Sequence, residues 1–495
     1  MLAVTLLLLD YTGTIHAYLV WCAKAQLFPA LLSLNIAAVL GLALMTLLFG
    51  RVYCSVICPL GIFQDIISRI AGIVKKNRYS YRPPRKEFVI VRYSLLAVFV
   101  AAVALHIPVI TKILEPYSAY GRMISQIVGP LYQLGNNALA HFAERVDSYA
   151  FYTVDIWLRS APTLIIAILT FAVISVFAWK SGRGYCSGVC PAGALLGLLS
   201  KYSLMKPRVN KEKCVRCGLC AKNCKAGCID ASKIEIDYTR CVACFNCVGS
   251  CNKNAVSYTA AKTHYNKGAS SMKAQSDTKE AAGSSGRRNF LAAAALLLAG
   301  FVTRAAARAG YNFDGGIAPI EDKKVPARNT PVIPPGAGNA RHFRARCTGC
   351  QLCVTVCPNH VLRPSNKLSE FMQPVMSFER GYCRPECVKC SQVCPTGAIR
   401  PITTAEKSAT QIGAAVWRSE LCVVNRDNVP CDRCERACPA GAIMRIHISA
   451  DDPSSPKIPM IDTNRCIGCG ACEHLCPSRP YSAIFVDGVQ THRII

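Results

Sequence analysis

The sequence predicts an α-helical membrane bundle of about four spans plus one further anchor helix, joined to small cysteine-rich α+β modules. Three observations predict it. Apolar stretches near Phe28–Phe49, Phe88–Ile110 and Ala161–Trp179 are long enough for a bilayer, which needs about 20 residues per span. The 30 cysteines fall in short regular runs, unlike the irregular spacings of a disulfide framework. One twelve-residue unit occurs twice, each time directly after an apolar stretch. A chain of 495 residues has room for two or three domains.

The repeated units are Gly50–Gly61 and Gly182–Gly193, both reading G-R-x-Y-C-S-x-x-C-P-x-G. Two membrane hairpins therefore end in the same Cys-x3-Cys-Pro unit, Cys54/Cys58 and Cys186/Cys190. The second hairpin has two full helices. Leu2–Leu9 is too short to be the matching first helix, so that helix is expected to be trimmed at residue 1 or to begin upstream. Basic residues set orientation. Arg51, Arg69, Lys75, Lys76, Arg78, Arg82, Arg85 and Lys86 follow the first unit's span, against Asp65 and Glu87. Lys180, Arg183, Lys201, Lys206, Arg208, Lys211 and Lys213 follow the last span. The loop between Phe88–Ile110 and Ala161–Trp179 is balanced, with Lys112, Arg122, Arg145 and Arg159 against Glu115, Glu144, Asp147 and Asp155. Both units are thus expected on the cytoplasmic side. Burial explains a lone cysteine pair, but two copies on one side exceed it. The four cysteines suit a shared metal centre or a redox-active thiol site, and the residues leave both open.

Next come Cys214, Cys217, Cys220 and Cys224, then Cys241, Cys244, Cys247 and Cys251. This is the C-x2-C-x2-C-x3-C pattern of bacterial ferredoxins, in which the fourth cysteine ligates the other cluster. One cluster should use Cys214, Cys217, Cys220 and Cys251, and the other Cys241, Cys244, Cys247 and Cys224. Structural zinc takes two separated ligand pairs instead. Cys228 falls outside the pattern and reads as a packed small residue. Four more quartets follow: Cys347, Cys350, Cys353, Cys357; Cys383, Cys387, Cys390, Cys394; Cys422, Cys431, Cys434, Cys438; and Cys466, Cys469, Cys472, Cys476. Each ends in Cys-Pro, at Pro358, Pro395, Pro439 and Pro477. The outer two have standard spacing and the inner two do not, which favours nested pairing, first with fourth and second with third. The expected cofactors are six [4Fe-4S] clusters in bacterial ferredoxin-like α+β 2[4Fe-4S] modules. The formal charge of +28 would suit nucleic acid or an anionic membrane. Six clusters with their thiolates offset about −12 of it, and much of the rest flanks apolar spans, so no nucleic-acid partner is expected.

The domains expected are a polytopic membrane domain over 1–205, a ferredoxin domain over 206–261, a flexible Ser/Lys/Ala/Gly linker over 262–286, an anchor over 287–304, a Pro/Gly-rich linker over 305–340 and a four-cluster domain over 341–495. The anchor opens Ser284-Ser285-Gly286-Arg287-Arg288-Asn289-Phe290-Leu291, which resembles a twin-arginine export signal. Such a route exports folded domains, as one loaded with clusters in the cytoplasm requires. Arg287 and Arg288 stay inside, and the helix is read as a retained anchor.

The region to Lys262, with its two Cys-x3-Cys-Pro units and two-cluster module, resembles the NapH-type membrane ferredoxins. From Arg287 onward, with Ile333-Pro334-Pro335-Gly336-Ala337 and Arg344-Ala345-Arg346-Cys347, it resembles the NapG-type exported four-cluster proteins. The resemblance implies a fusion of the two: a quinol dehydrogenase component in the inner membrane of a bacterium. It would pass electrons from the membrane quinol pool to a periplasmic reductase or cytochrome. His16, Trp21, Gln26 and His106 are quinone-site candidates by position near the outer ends of the spans. A rival reading is a NosR- or CcoG-like factor for regulation or metallocentre maturation, which has no need of four exported clusters. No nucleotide loop, flavin fingerprint or catalytic triad is evident. One difficulty remains at this level: a hydrocarbon core about 30 Å thick lies between the two sets of clusters. A single electron step across it is slow, which calls for a further centre in the membrane or a bridging partner.

Overall fold

A computed structural model describes residues 1–260 and 312–495 apart from 11–12, 75–78, 80, 82, 84–85, 146, 148–150, 314–318, 450–451 and 453. Arg287, Arg288, the anchor over 287–304 and the linker over 262–286 lie outside the described residues. The first 200 residues are helical. They comprise α1 (Leu2–Leu9), α2 (His16–Lys24), α3 (Leu27–Leu32), α4 (Ile36–Phe49), α5 (Pro59–Val74), α6 (Lys86–Ala104), α7 (Pro108–Leu114), α8 (Pro116–Met123), α9 (Gly129–Glu144), α10 (Ala161–Ser181), α11 (Gly184–Gly188) and α12 (Pro191–Ser200).

Among the described residues two helices are long and apolar enough to cross a membrane, α6 with 19 residues and α10 with 21. At 1.5 Å per residue they reach about 28 and 32 Å, close to a hydrocarbon core. Ile90, Val100, Leu169 and Val176 on them are exposed. The expected span over Phe28–Phe49 breaks in two. Leu34 takes a left-handed φ of 58°, and the Asn35 side chain then caps α4 by accepting the Ala38 N–H at 3.1 Å. The 14 residues of α4 reach only about 21 Å.

Both long helices run from one cysteine module to the other. At the start of α6, Arg92 donates to the Thr239 carbonyl at 2.9 Å. Just past its other end, His106 shares a cavity with Arg344 and Cys347. At the start of α10, the Ser160 hydroxyl donates to Asn366 at 2.7 Å. Beyond its end, the Arg183 N–H donates to the Lys225 carbonyl at 2.9 Å. The modules therefore sit at opposite ends of the bundle.

The first module pairs β1 (Met205–Val209) antiparallel with β4 (Val256–Ala260), around the small hairpin of β2 (Ile229–Asp230) and β3 (Glu235–Ile236). The second pairs Thr410–Trp417 with Ile484–Ile494, Ile443–His447 with Lys457–Ile461, and Leu362–Pro364 with Pro374–Met376, all antiparallel. The stretch expected as a linker up to residue 340 is, over its last part, a strap packed on this module. Val332, Ile333 and Ala337 are buried, the Lys324 N–H donates to the Pro480 carbonyl, and Arg328 is paired with buried Glu473 at 2.5 Å.

The charge pattern beside the spans also needs correcting. Arg51 and Arg183 are fully buried. They serve the interior of the bundle and cannot count as loop charges that orient it. Lys112 and Arg122, read as part of a balanced loop, are fully buried too. Lys112 Nζ donates to the Phe371 carbonyl of the second module at 2.8 Å.

Candidate iron–sulfur sites and the seam beside them

The cysteine loops share one backbone device. In the four standard quartets the residues two and four after the first cysteine lie in the left-handed region. They are Arg216 and Gly218, Ala243 and Phe245, Gly349 and Gln351, and Gly468 and Gly470, with φ between 50° and 79°. Alternating right- and left-handed residues turn successive N–H groups to one side, forming a nest suited to an anionic sulfur cage. Holding Arg216, Ala243, Phe245 and Gln351 there costs about 1–3 kcal/mol each, a strain found where a site demands it. The fourth cysteines accept backbone N–H groups from downstream: Cys251 from Ala255 at 3.2 Å, Cys394 from Ile399 at 3.4 Å, Cys438 from Ala442 at 3.2 Å and Cys476 from Ala483 at 3.3 Å. Gly397 and Gly441, with φ of 67° and 58°, make the turns for two of them.

The sulfurs gather in sets of three plus one. Cys214, Cys217, Cys220 and Cys251 line one cavity, and Cys224, Cys241, Cys244 and Cys247 line another. Cys347, Cys350, Cys353 and Cys394 line a third. Cys390 lies within electrostatic reach of Cys357, Cys383 and Cys387. Cys469 lies within reach of Cys438 and Cys466, and Cys472 within reach of Cys466 and Cys469. Cys434 lies within reach of Cys422, Cys431 and Cys476. Each set thus borrows its fourth cysteine from the neighbouring quartet. In the second module the pairing is sequential, first with second quartet and third with fourth, not nested. Spacing class does not set the partner; adjacency along the chain does. Cys228 also departs from expectation. It is buried, but its Sγ lies 3.5 Å from that of Cys224, on the wall of the second cavity.

The donor sets fit a multi-iron cage: in three of the six, four cysteines surround a cavity. Burial pushes the Cys247, Cys434 and Cys469 thiols up to about 12. Thiolates there therefore need cationic metal beside them. Replacing Cys394 with Ala should remove one cluster, about four irons, and leave the set of Cys357, Cys383, Cys387 and Cys390 loaded. Iron analysis and electron paramagnetic resonance of the anoxic variant check this crossed assignment.

The quinone-site candidates separate. His16 is buried with its Nδ1 2.8 Å from Asp10, Gln26 accepts the Tyr53 hydroxyl at 3.0 Å, and Trp21 is exposed. His106 lines a small cavity, of about 30 Å³, at the seam between the bundle and the second module. Phe28, Leu31, Phe99 and Val103 form its apolar wall, and Glu115, Arg344 and Cys347 its other side. Glu115 is buried and accepts the Tyr117 N–H at 3.2 Å. Sequence reading passed over Glu115 as a balanced loop charge, although an acid between two apolar stretches is itself a signal.

Two family models match the chain. One described as a 4Fe-4S binding domain matches residues 33–78 and 161–212, and one described as a 4Fe-4S dicluster domain matches 346–398 and 429–479. The second spans Cys347–Cys394 and Cys431–Cys476, with Cys422 outside its match. The chain is 33% identical over 161 residues to the methylamine utilization ferredoxin-type protein MauM of Methylophilus methylotrophus, covering 30% of this chain and 69% of that protein. It is 30% identical over 162 residues to the ferredoxin-type protein NapF of Escherichia coli K12, covering 32% of this chain and 87% of that protein. It is 28% identical over 179 residues to the ferredoxin-type protein NapG of Haemophilus influenzae, covering 33% of this chain and 63% of that protein. No solved structure matches. Fold, sulfur sets and relatives together define an iron–sulfur electron-transfer protein with 4Fe-4S ferredoxin-like domains. The chain belongs to the ferredoxin-type family of MauM and NapF.

Proposed function

We propose that the chain is a NapH- and NapG-like fusion that draws electrons from membrane quinol and delivers them to a redox protein at the far end of its second module. In this reading α6 and α10 cross the inner membrane of a bacterium, the first module is cytoplasmic and the second periplasmic. The ligands are the six sets above, and the domains follow the expected boundaries with the strap added to the second module. The observation that carries the reading is the seam cavity. Its apolar wall suits the edge of a quinol ring, and Cys347 lines the same cavity. When bound, a [4Fe-4S] cluster takes and gives one electron at a time.

The residues at the seam divide the remaining work. Quinol oxidation releases two electrons and two protons. The Glu115 carboxylate and the His106 imidazole are placed to take the protons, while Phe28 and Phe99, packed at a tilt with centroids 4.8 Å apart, exclude water and hold the ring. The lower part of the second module carries electrons onward because its sets adjoin, with the Cys383 N–H donating to the Cys469 carbonyl at 2.9 Å. Glu115→Gln keeps an oxygen for the cap of α8 but loses the proton acceptor. The variant should be reduced by a menaquinol analogue about 10²-fold or more slowly, the usual weight of a general base, yet normally by dithionite. An unchanged rate with quinol would remove the seam from the reading.

A further inference from the structure

We infer that Cys54, Cys58, Cys186 and Cys190 together hold a seventh iron–sulfur cluster, which links the two cysteine modules through the helical domain. The two repeats close on one another. Arg51 Nη2 lies 3.7 Å from Cys54 Sγ and donates to the Cys186 carbonyl at 3.0 Å. In the mirrored position Arg183 donates to the Cys54 carbonyl. A Cβ on Gly61 or Gly193 would collide with the Cys54 or Cys186 carbonyl of its own unit, and one on Gly193 would also press on Arg51 of the other unit. All four cysteines are buried and fall within mutual electrostatic reach.

The surroundings call for an anion. Two buried guanidinium groups face the site, and Asp65, bound to Arg183 at 2.7 Å, offsets only one of them. The Arg51 Nε donor is buried without a hydrogen-bond partner, and Gln64 Nε2 donates to Cys186 Sγ at 3.1 Å. Four thiolates around an iron–sulfur core carry about −2, an anion for the uncompensated guanidinium to face; four neutral thiols supply none.

Its position makes the step. On one side Arg51 Nη1 donates to the Thr239 carbonyl at 3.1 Å and lies within electrostatic reach of Cys241. On the other, Tyr185 lies within reach of both Cys190 and Arg122, and Arg122 within reach of Cys350. The centre therefore divides the crossing into two shorter transfers. Each moves one electron from a reduced cluster to its oxidised neighbour, with no bond made or broken and no proton transferred. This inference rests on the electron-transfer class of the protein and not on quinol as donor.

Native mass spectrometry of the anoxic full-length chain tests it. The expected mass is that of the chain with its six other clusters plus one more iron–sulfur core, of two or four irons, and the Cys58→Ser, Cys190→Ser double variant should lose that core alone. In liposomes the same variant should no longer carry electrons from outside dithionite to trapped ferricyanide. A wild-type mass with six clusters only, or one lowered by the hydrogens lost to disulfides among these cysteines, overturns the proposal, whether or not the variant folds. A chain that carries the seventh cluster but does not respond to quinol upholds it and rejects the quinol reading.

Discussion

Asp65→Ala should lower the stability of the assembled protein by about 3–5 kcal/mol, the usual loss when one partner of a buried ion pair is removed. Asp65 holds Arg183 through two bonds, at 2.8 and 2.7 Å, and reaches Lys225 of the first module at 3.1 Å. Arg183 is fully buried, so its charge would be stranded. The same loss would loosen the joint between the bundle and the module, because Lys225 follows Cys224 directly. Heating the anoxic protein and following cluster absorbance should show the first module bleaching at a lower temperature, with the second module less affected. An unchanged bleaching temperature would mean that Asp65 is a surface ornament of the fold.

Arg328→Ala should have a comparable effect at the other end. Arg328 Nη2 lies 2.5 Å from Glu473, and its Nε donates to the Val486 carbonyl at 2.7 Å. Glu473 is itself buried and accepts the Val486 N–H at 2.8 Å. Removing the guanidinium leaves a buried carboxylate beside Cys472, with a cost again of about 3–5 kcal/mol. Release of iron from the second module under mild heat or urea is the readout. Glu473→Gln in the same background should recover much of the loss, since it removes the stranded charge. No recovery would place the effect in the packing of Arg328 over Phe378 instead.

These two residues show where sequence reasoning reached and where it stopped. The six quartets were legible because cluster ligation demands cysteine at fixed short intervals, and the exchange of the fourth cysteine holds in every set. The repeat was legible as well, since both units share eight fixed letters. What pattern does not carry is which charges turn inward. Arg51 and Arg183 look like topology signals beside apolar spans, yet each reaches across to the other repeat, a relation between residues 132 apart. The strap containing Arg328 reads as a linker because proline and glycine dominate it, and its three buried apolar residues are too few to outweigh them. The break at Leu34 was available in principle: Asn35 is a strong N-cap residue, but within a long apolar run the hydropathy signal overrode it. Nested pairing failed because regular spacing reflects loop length, whereas the partner of a quartet is chosen by the hairpin that brings the next one beside it.

The most direct test of the account is to purify the full-length protein without oxygen, count iron and acid-labile sulfide, add a menaquinol analogue and follow the clusters by electron paramagnetic resonance. At least about 24 irons per chain, with signals from the second module that appear on adding quinol, is the predicted result. Iron far below that number would contradict the six-set assignment, and full iron with signals that appear only on adding dithionite would contradict the entry of electrons at the seam.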